Sequence, residues 1–130
     1  METAHTNSDL VMIDQKTGTM FTSDLVFLMH TPALDGSLRG WQSEMKKLAE
    51  FDVEWVVPGH GPVTRFPEAL SPTSDYLDVL ASSTKEQLDA GVSLSEAAPL
   101  IAQSERPNWQ LFDEFNVRNA TGAYAEMEWE

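Results

Sequence analysis

Three side chains able to ligate a metal stand beside short strand-like segments: His5, Asp24 and His60. His60 lies in the turn Val57-Pro58-Gly59-His60-Gly61-Pro62, directly after an apolar run. Imidazole nitrogen and carboxylate oxygen suit zinc, and catalytic zinc sites keep one position open for water. A carboxylate can also bridge two ions, and water on such a metal becomes a nucleophile near neutral pH. Strand ends hold ligands rigidly, and the glycines flanking His60 let the backbone turn sharply. On spacing alone the trio reads equally well as a site or as three unrelated side chains.

The elements around these residues give the trio its setting. Leu10-Val11-Met12-Ile13 reads as a strand, Gln15 to Gly18 as a hairpin loop, and Thr19 to about Ser23 as the return strand, with Asp24 at its end. A polar loop through Thr31-Pro32 and Asp35-Gly36 follows. From Ser37, a plausible cap, Leu38, Trp41, Met45, Leu48 and Phe51 recur at helical steps. Trp55-Val56-Val57 is the next strand, stopped by Pro58-Gly59. Strand, helix, strand in this order implies a right-handed crossover between parallel neighbours. A second helix opens at Ser71 with Pro72 in its first turn and Gly91 closing it; Tyr76, Leu77, Leu80, Thr84 and Leu88 mark its inner face. Ser93 and Glu96 have capping-box spacing for a short helix to Ile101. The last helix is expected from about Asn108, carrying Trp109, Phe112 and Phe115 and continuing to Tyr124 and Met127.

Both faces of the strands are apolar: Leu10 and Met12 oppose Val11 and Ile13, and Trp55 and Val57 oppose Val56. That pattern calls for a sheet covered on both sides. The helices of the crossover cover one, so the other needs the later helices, a second copy, or a further piece of the same protein.

Composition narrows the partners. With 8 basic and 21 acidic residues the net charge is −13, which argues against nucleic acid or an anionic membrane. There is no cysteine, hence no disulfide, thiolate ligand or cysteine nucleophile. No stretch approaches the ~20 apolar residues of a membrane span. Residues 1–5 have neither the basic end nor the apolar run of a signal peptide. The chain reads as soluble, periplasmic or cytoplasmic, and as one domain.

Taken in order, Ala4-His5-Thr6-Asn7-Ser8-Asp9-Leu10, Phe21-Thr22-Ser23-Asp24-Leu25-Val26-Phe27 and Val56-Val57-Pro58-Gly59-His60-Gly61 resemble the C-terminal half of the metallo-β-lactamase superfamily. Asp35-Gly36-Ser37-Leu38-Arg39-Gly40-Trp41 looks closest to its SoxH-like branch, the quinoprotein-associated zinc metallohydrolases. The resemblance covers most of the chain and is most specific over residues 1–62. It implies an α/β (α+β) fold, half of an αββα sandwich: a short mixed sheet with flanking helices. Residues 1–130 would form a single half-domain, with sheet and ligand loops in 1–70 and mainly helix in 71–130. It further implies zinc, with His5 and His60 as ligands and Asp24 as the bridge. Asp9, beside the first ligand loop, is expected either to support a histidine from behind or to close a turn.

Two departures stand out. The superfamily's first motif, His-x-His-x-Asp-His, is absent, and His30 between Met29 and Thr31 cannot supply it; Ser23 stands where glycine commonly precedes the bridging aspartate. His30 is therefore expected to be a loop side chain with no metal role. Trp41, Trp55 and Trp109 read as core, and Met12, Met20, Met29 and Met45 as packing residues. The expected function is the C-terminal portion of a zinc-dependent hydrolase, inactive alone and completed by an N-terminal half. The alternative is a non-catalytic domain of the same fold that pairs with itself as a homodimer.

Overall fold

The computed structural model describes residues 1–130. The predicted hairpin forms from β1 (Met12–Asp14) and β2 (Thr19–Phe27), antiparallel, with Met12 opposite Phe21 and Ile13 opposite Met20. The Asp14 carboxylate fixes its loop, accepting from the Lys16 amide and the Thr17 hydroxyl. β1 starts later than the apolar run suggests, because Leu10 lies outside the pairing and is exposed. β2 in turn runs beyond Asp24 to Phe27, interrupted at Ser23, where φ is +49° and the register with the next strand shifts. Asp24 thus sits beside an irregularity inside a strand, not at the strand's end.

After α1 (Leu38–Leu48) the chain returns as β3 (Trp55–His60), parallel to β2 as the crossover requires. β3 passes through Pro58-Gly59 and ends on His60 itself. Proline is tolerated there because the fourth strand, β4 (Thr64–Arg65), pairs only with Trp55 and Val56, leaving that flank of Pro58 free. β4 is too short to leave a sequence signal. The mixed sheet has the order β1-β2-β3-β4.

α1 buries Leu38, Trp41, Met45 and Leu48 as predicted, while Phe51 lies beyond it, exposed. Its N-terminus is capped twice. The Ser37 hydroxyl accepts from the Gly40 amide, and the Glu126 carboxylate accepts from the amides of Leu38 (2.8 Å) and Arg39 (3.0 Å). Near its other end Glu44 is buried, accepting from the Glu2 amide and the Lys47 ammonium. Burial pushes its carboxyl up, but those two donors outweigh it and hold the pKa below the ordinary value.

α2 (Ser71–Asp89) has Pro72 in its first turn and is followed by Gly91 at φ +71°. Its buried face is Tyr76, Leu77, Leu80 and Thr84, with Leu88 half-buried. α3 (Leu94–Ala97) starts after Ser93, but the Ser93 side chain makes no capping bond, so the expected capping box is not formed. Pro99 turns the next residues into a short 3-10 segment, Ala98–Leu100. The last helix also begins later than its aromatic spacing suggests. Gln103–Asn108 is a 3-10 segment containing Pro107, Trp109 is extended, and α4 spans Phe112–Met127. The reason is long-range: the Gln110 amide donates to Met29 and its carbonyl accepts from Thr31, so residues 109–111 run alongside the loop after β2.

One contiguous core joins Met20 and Val56 of the sheet to Trp41, Leu77, Leu80, Ile101 and Ala120 of the helical side. The opposite side of the sheet is open. Met12, Phe21 and Val57 form one row across three strands there, with Met12 63% and Phe21 41% exposed and Val57 half-buried. The sheet is therefore covered on one face by this chain. Met12 and Met29 are exposed rather than packed. Trp41 and Trp109 are core, whereas Trp55 is half-buried under the Arg65 guanidinium, 4.7 Å from its ring.

Inside the helical layer runs a polar chain with every member paired. The Tyr76 hydroxyl donates to Asn116 (2.8 Å) and accepts from Asn119 (2.9 Å); Asn116 donates to the Ile101 carbonyl. Asn119 also donates to the Pro32 carbonyl (2.6 Å) and accepts from the Leu34 amide (2.9 Å). Burial pushes the Tyr76 phenol well above its usual pKa, so it stays a donor at all physiological pH values. This chain ties α2 and α4 to loop residues 32–34. Asn119→Ala leaves the Pro32 carbonyl and the Leu34 amide without partners, removes one of the two bonds of the Tyr76 hydroxyl, and is expected to cost about 2–4 kcal/mol. Urea unfolding measures the loss; a change under about 0.5 kcal/mol would show that the loop is held by packing alone.

Candidate functional site

Each of the three candidate residues reaches the same rim of the sheet by a different device. His5 belongs to an irregular segment pinned to the start of α1: the Asp35 amide donates to the His5 carbonyl and the Ser37 amide to that of Ala4. The approach is so tight that a side chain at Gly40 would meet the Thr3 carbonyl at 1.7 Å. The His5 ring is buried against Trp41 (5.3 Å, edge-on) and Phe27 (5.7 Å). Its Nδ1 lies 2.5 Å from the Ala33 carbonyl, which can only accept; Nδ1 therefore carries the proton and Nε2 is the free lone pair.

Asp24 is turned to the rim by the irregularity at Ser23. Ser23 occupies the left-handed region at φ +49°, where serine is less comfortable than glycine. Opposite it the backbone of Gly59 comes close: a Cβ there would lie 2.2 Å from Asp24 Oδ1 and 2.6 Å from the Ser23 carbonyl. Only glycine fits. His60 closes the strand, with its ring stacked on Phe27 at 4.6 Å and 9° and its carbonyl accepting from the Leu28 amide.

The result is a convergence. Asp24 Oδ2 is 3.6 Å from His5 Nε2 and Asp24 Oδ1 is 3.4 Å from His60 Nε2. His5 is shielded, whereas the side chains of Asp24 and His60 are 46% and 43% exposed, so the open side of the trio faces solvent. One carboxylate thus stands between two imidazole Nε2 atoms, with Phe27 packed against both rings. As donors, two nitrogens and one carboxylate match zinc in type, and the Ala33 carbonyl behind His5 leaves the correct nitrogen free. The set is not a finished cage: no group of three His, Cys, Asp or Glu side chains is arranged to hold a metal ion.

Asp9 does not touch an imidazole. Its carboxylate accepts from the amide and hydroxyl of Thr6, closing the turn after His5, so its support travels through the loop backbone. His30 stands closer to the site than its sequence position suggested. Its ring packs on His60 and Phe115, both at 4.8 Å, and on Phe27 at 5.6 Å. It forms the outer wall of the His60 ring, held by the backbone bridge between His30 and Gln110. Two of its partners, Gln110 and Phe115, lie 80 or more positions away, and no local pattern could announce them. The same holds for Ala33, whose contribution is a backbone carbonyl.

No protein-family model matches the chain, and no curated protein does. Among solved structures it is similar to TMB-1, a metallo-β-lactamase, at 20% identity and a TM-score of 0.51; the match covers 58% of this chain and 37% of that one. The chain therefore spans little over a third of that neighbour's length. The likeness is one of fold alone: a mixed α/β arrangement similar to part of that structure.

Replacing Gly59 by alanine puts a methyl group into the Asp24 carboxylate and the Ser23 backbone. Gly59→Ala is expected to lose about 1–3 kcal/mol and to shift the side-chain NMR signals of His5 and His60. Unchanged imidazole signals would mean that Asp24 does not organise the rim.

Proposed function

We propose that the chain is the C-terminal portion of a zinc-dependent hydrolase of the metallo-β-lactamase superfamily, nearest its SoxH-like, quinoprotein-associated branch. The observation that carries this reading is the meeting of His5 Nε2 and His60 Nε2 on the two oxygens of Asp24. His5 and His60 would hold the metal through Nε2, and Asp24 would bridge. Zinc, when bound, supplies Lewis acidity that brings the pKa of water towards neutrality. The chain's own contribution is orientation. The Ala33 carbonyl fixes the His5 tautomer, Phe27 and His30 fix the plane of the His60 ring, and Gly59 admits the carboxylate.

Three ligands are too few for a two-metal site, and the His-x-His-x-Asp-His motif that would add the rest is not in this sequence. The remaining ligands and the cover for Met12, Phe21 and Val57 would come together in an N-terminal half of the sandwich. On this reading the chain alone binds zinc weakly and turns over little substrate. The SoxH-like assignment rests on residues 35–41, which in the fold form the cap and first turn of α1 and hold the His5 segment.

A second reading draws on the open sheet face. Two copies of the chain placing the Met12-Phe21-Val57 row together would form a non-catalytic homodimer with the architecture of the full sandwich. Such a contact needs about 1,000 Å² or more of buried surface.

Zinc content of the purified chain, compared with that of His60→Ala, tests the ligand assignment. Wild type is expected to retain substoichiometric zinc and the variant roughly tenfold less; equal content would refute the assignment. Light scattering at micromolar concentration tests the second reading. A dimer abolished by Phe21→Asp supports it, and a monomer at all concentrations removes it.

A further inference from the structure

The open face of the sheet carries charge as well as apolar surface. Asp14, Thr19, Trp55 and Arg65 stand opposite one another across β1 to β4. Alternation along the strands puts them on the face of Met12, Phe21 and Val57, each two positions away in β1, β2 and β3. That face therefore has two rows. One is apolar; the other runs from an acidic end on β1 to a basic end on β4, with Trp55 between them.

The basic end stands out in a chain with 8 basic and 21 acidic residues. Arg39, Lys47, Lys85, Arg106 and Arg118 are all in ion pairs. Of the three left over, Lys16 lies in the hairpin loop and Lys46 on α1; only Arg65 belongs to the sheet. Its guanidinium is nevertheless held in one place, 4.7 Å from the Trp55 ring centre. Asp14 has no cation either, since its oxygens accept only from the Lys16 amide and the Thr17 hydroxyl. The two are exposed at opposite edges of the sheet, three strand spacings or about 14 Å apart, too far to meet within one chain.

A second copy answers both rows at once. Two such faces, packed about 10 Å apart with strands within about 30° of each other, can be related by a twofold axis running along the strands between them. This axis lays β1 of each copy over β4 of the other, and β2 over β3. The apolar row then meets its own reversed image, Asp14 faces the partner's Arg65, and Arg65 faces the partner's Asp14. A twofold across the strands would instead stack β1 on β1 and β4 on β4, gathering both guanidinium groups at one edge. Charge selects the first.

We propose that the open face is the interface of a parallel twofold dimer of this chain, closed at each edge by Asp14 of one copy and Arg65 of the other. The arrangement rests on the self-pairing reading and specifies it. Edge pairs of this kind choose the register more than they add affinity. Because the axis preserves strand direction, the rims carrying Asp24 and His60 lie at the same end of the dimer in both copies.

The test is the monomer–dimer equilibrium of the full chain, followed by sedimentation at micromolar concentration and low salt. Arg65→Asp sets carboxylates against each other at both edges, and Asp14→Arg does the same with guanidinium groups. Each variant alone is expected to dimerise about tenfold or more weakly than wild type. Mixed in equal amounts, the two are expected to form a joint dimer within about threefold of wild type, because every edge then pairs opposite charges. Asp14 also holds its hairpin loop. If Asp14→Arg does not fold, Arg65→Asp carries the test, and its dimer is expected to recover at high salt, where the repulsion is screened. A wild-type monomer at all concentrations overturns the proposal and leaves the face to an N-terminal half. A dimer that Phe21→Asp abolishes, but that both charge reversals leave intact, overturns this arrangement while keeping self-pairing. So does a mixture in which the two variants fail to rescue each other. None of these substitutions touches His5, Asp24 or His60, so every outcome leaves the metal reading as it stands.

Discussion

The distance between two backbones, at Ser23 in β2 and Gly59 in β3, sets the rest of the rim. The strands pair regularly from Thr19 to Phe21, then slip, and Ser23 takes a left-handed conformation opposite Pro58. That slip swings Asp24 out of the strand's alternation and into the space over Gly59, which is vacant only because glycine has no Cβ. His60 follows at the next position and Phe27 pairs with it in register, so the aromatic ring that orients His60 comes from the same irregular strand. A regular β2 would place the carboxylate elsewhere and leave the two imidazoles with nothing between them.

This arrangement illustrates how a polar site is stabilised away from its own atoms. The site offers two half-exposed groups and few hydrogen bonds of its own. Its rigidity is borrowed from the helical layer. Asn119 fixes both sides of Ala33, whose carbonyl fixes His5, while Trp41 packs against the His5 ring and bonds to the Leu25 carbonyl within β2. The buried amides of α4 therefore do for the rim what a second row of ligand-supporting side chains does in a compact metal site.

Where a feature depends on local chemistry, the sequence announced it. The hairpin loop, the α1 face, Ser37 as cap, Pro72 and Gly91 at the ends of α2, and the parallel return of β3 all follow from periodicity and turn residues. The apolar strands called for a sheet covered on both sides, and this chain covers only one of them, leaving Met12 and Phe21 exposed. The misplaced boundaries have a common physical cause. β2 runs past its expected end because a serine in the left-handed region carries no local mark, and β3 because proline usually stops a strand. α4 begins later than the helical spacing of Trp109, Phe112 and Phe115 predicts, because Gln110 pairs with a loop 80 positions earlier. Of the rim, His5, Asp24 and His60 were legible by type and setting. The close neighbourhood of His30 and the carbonyl of Ala33 were not, since each is defined by partners distant in sequence.

The Glu126 cap on α1 has a consequence for the order of assembly. Its carboxylate closes the first turn of a helix that begins 88 residues earlier, and that turn in turn grips Ala4 and His5 through backbone bonds. The stretch holding His5 meets its own partners, Asp35 and Ser37, early in the chain, but the helix end it rests on is fully capped only when α4 docks. Hairpin, crossover and the His5 contacts can form from neighbouring pieces, and the last helix to emerge then locks them by closing that turn.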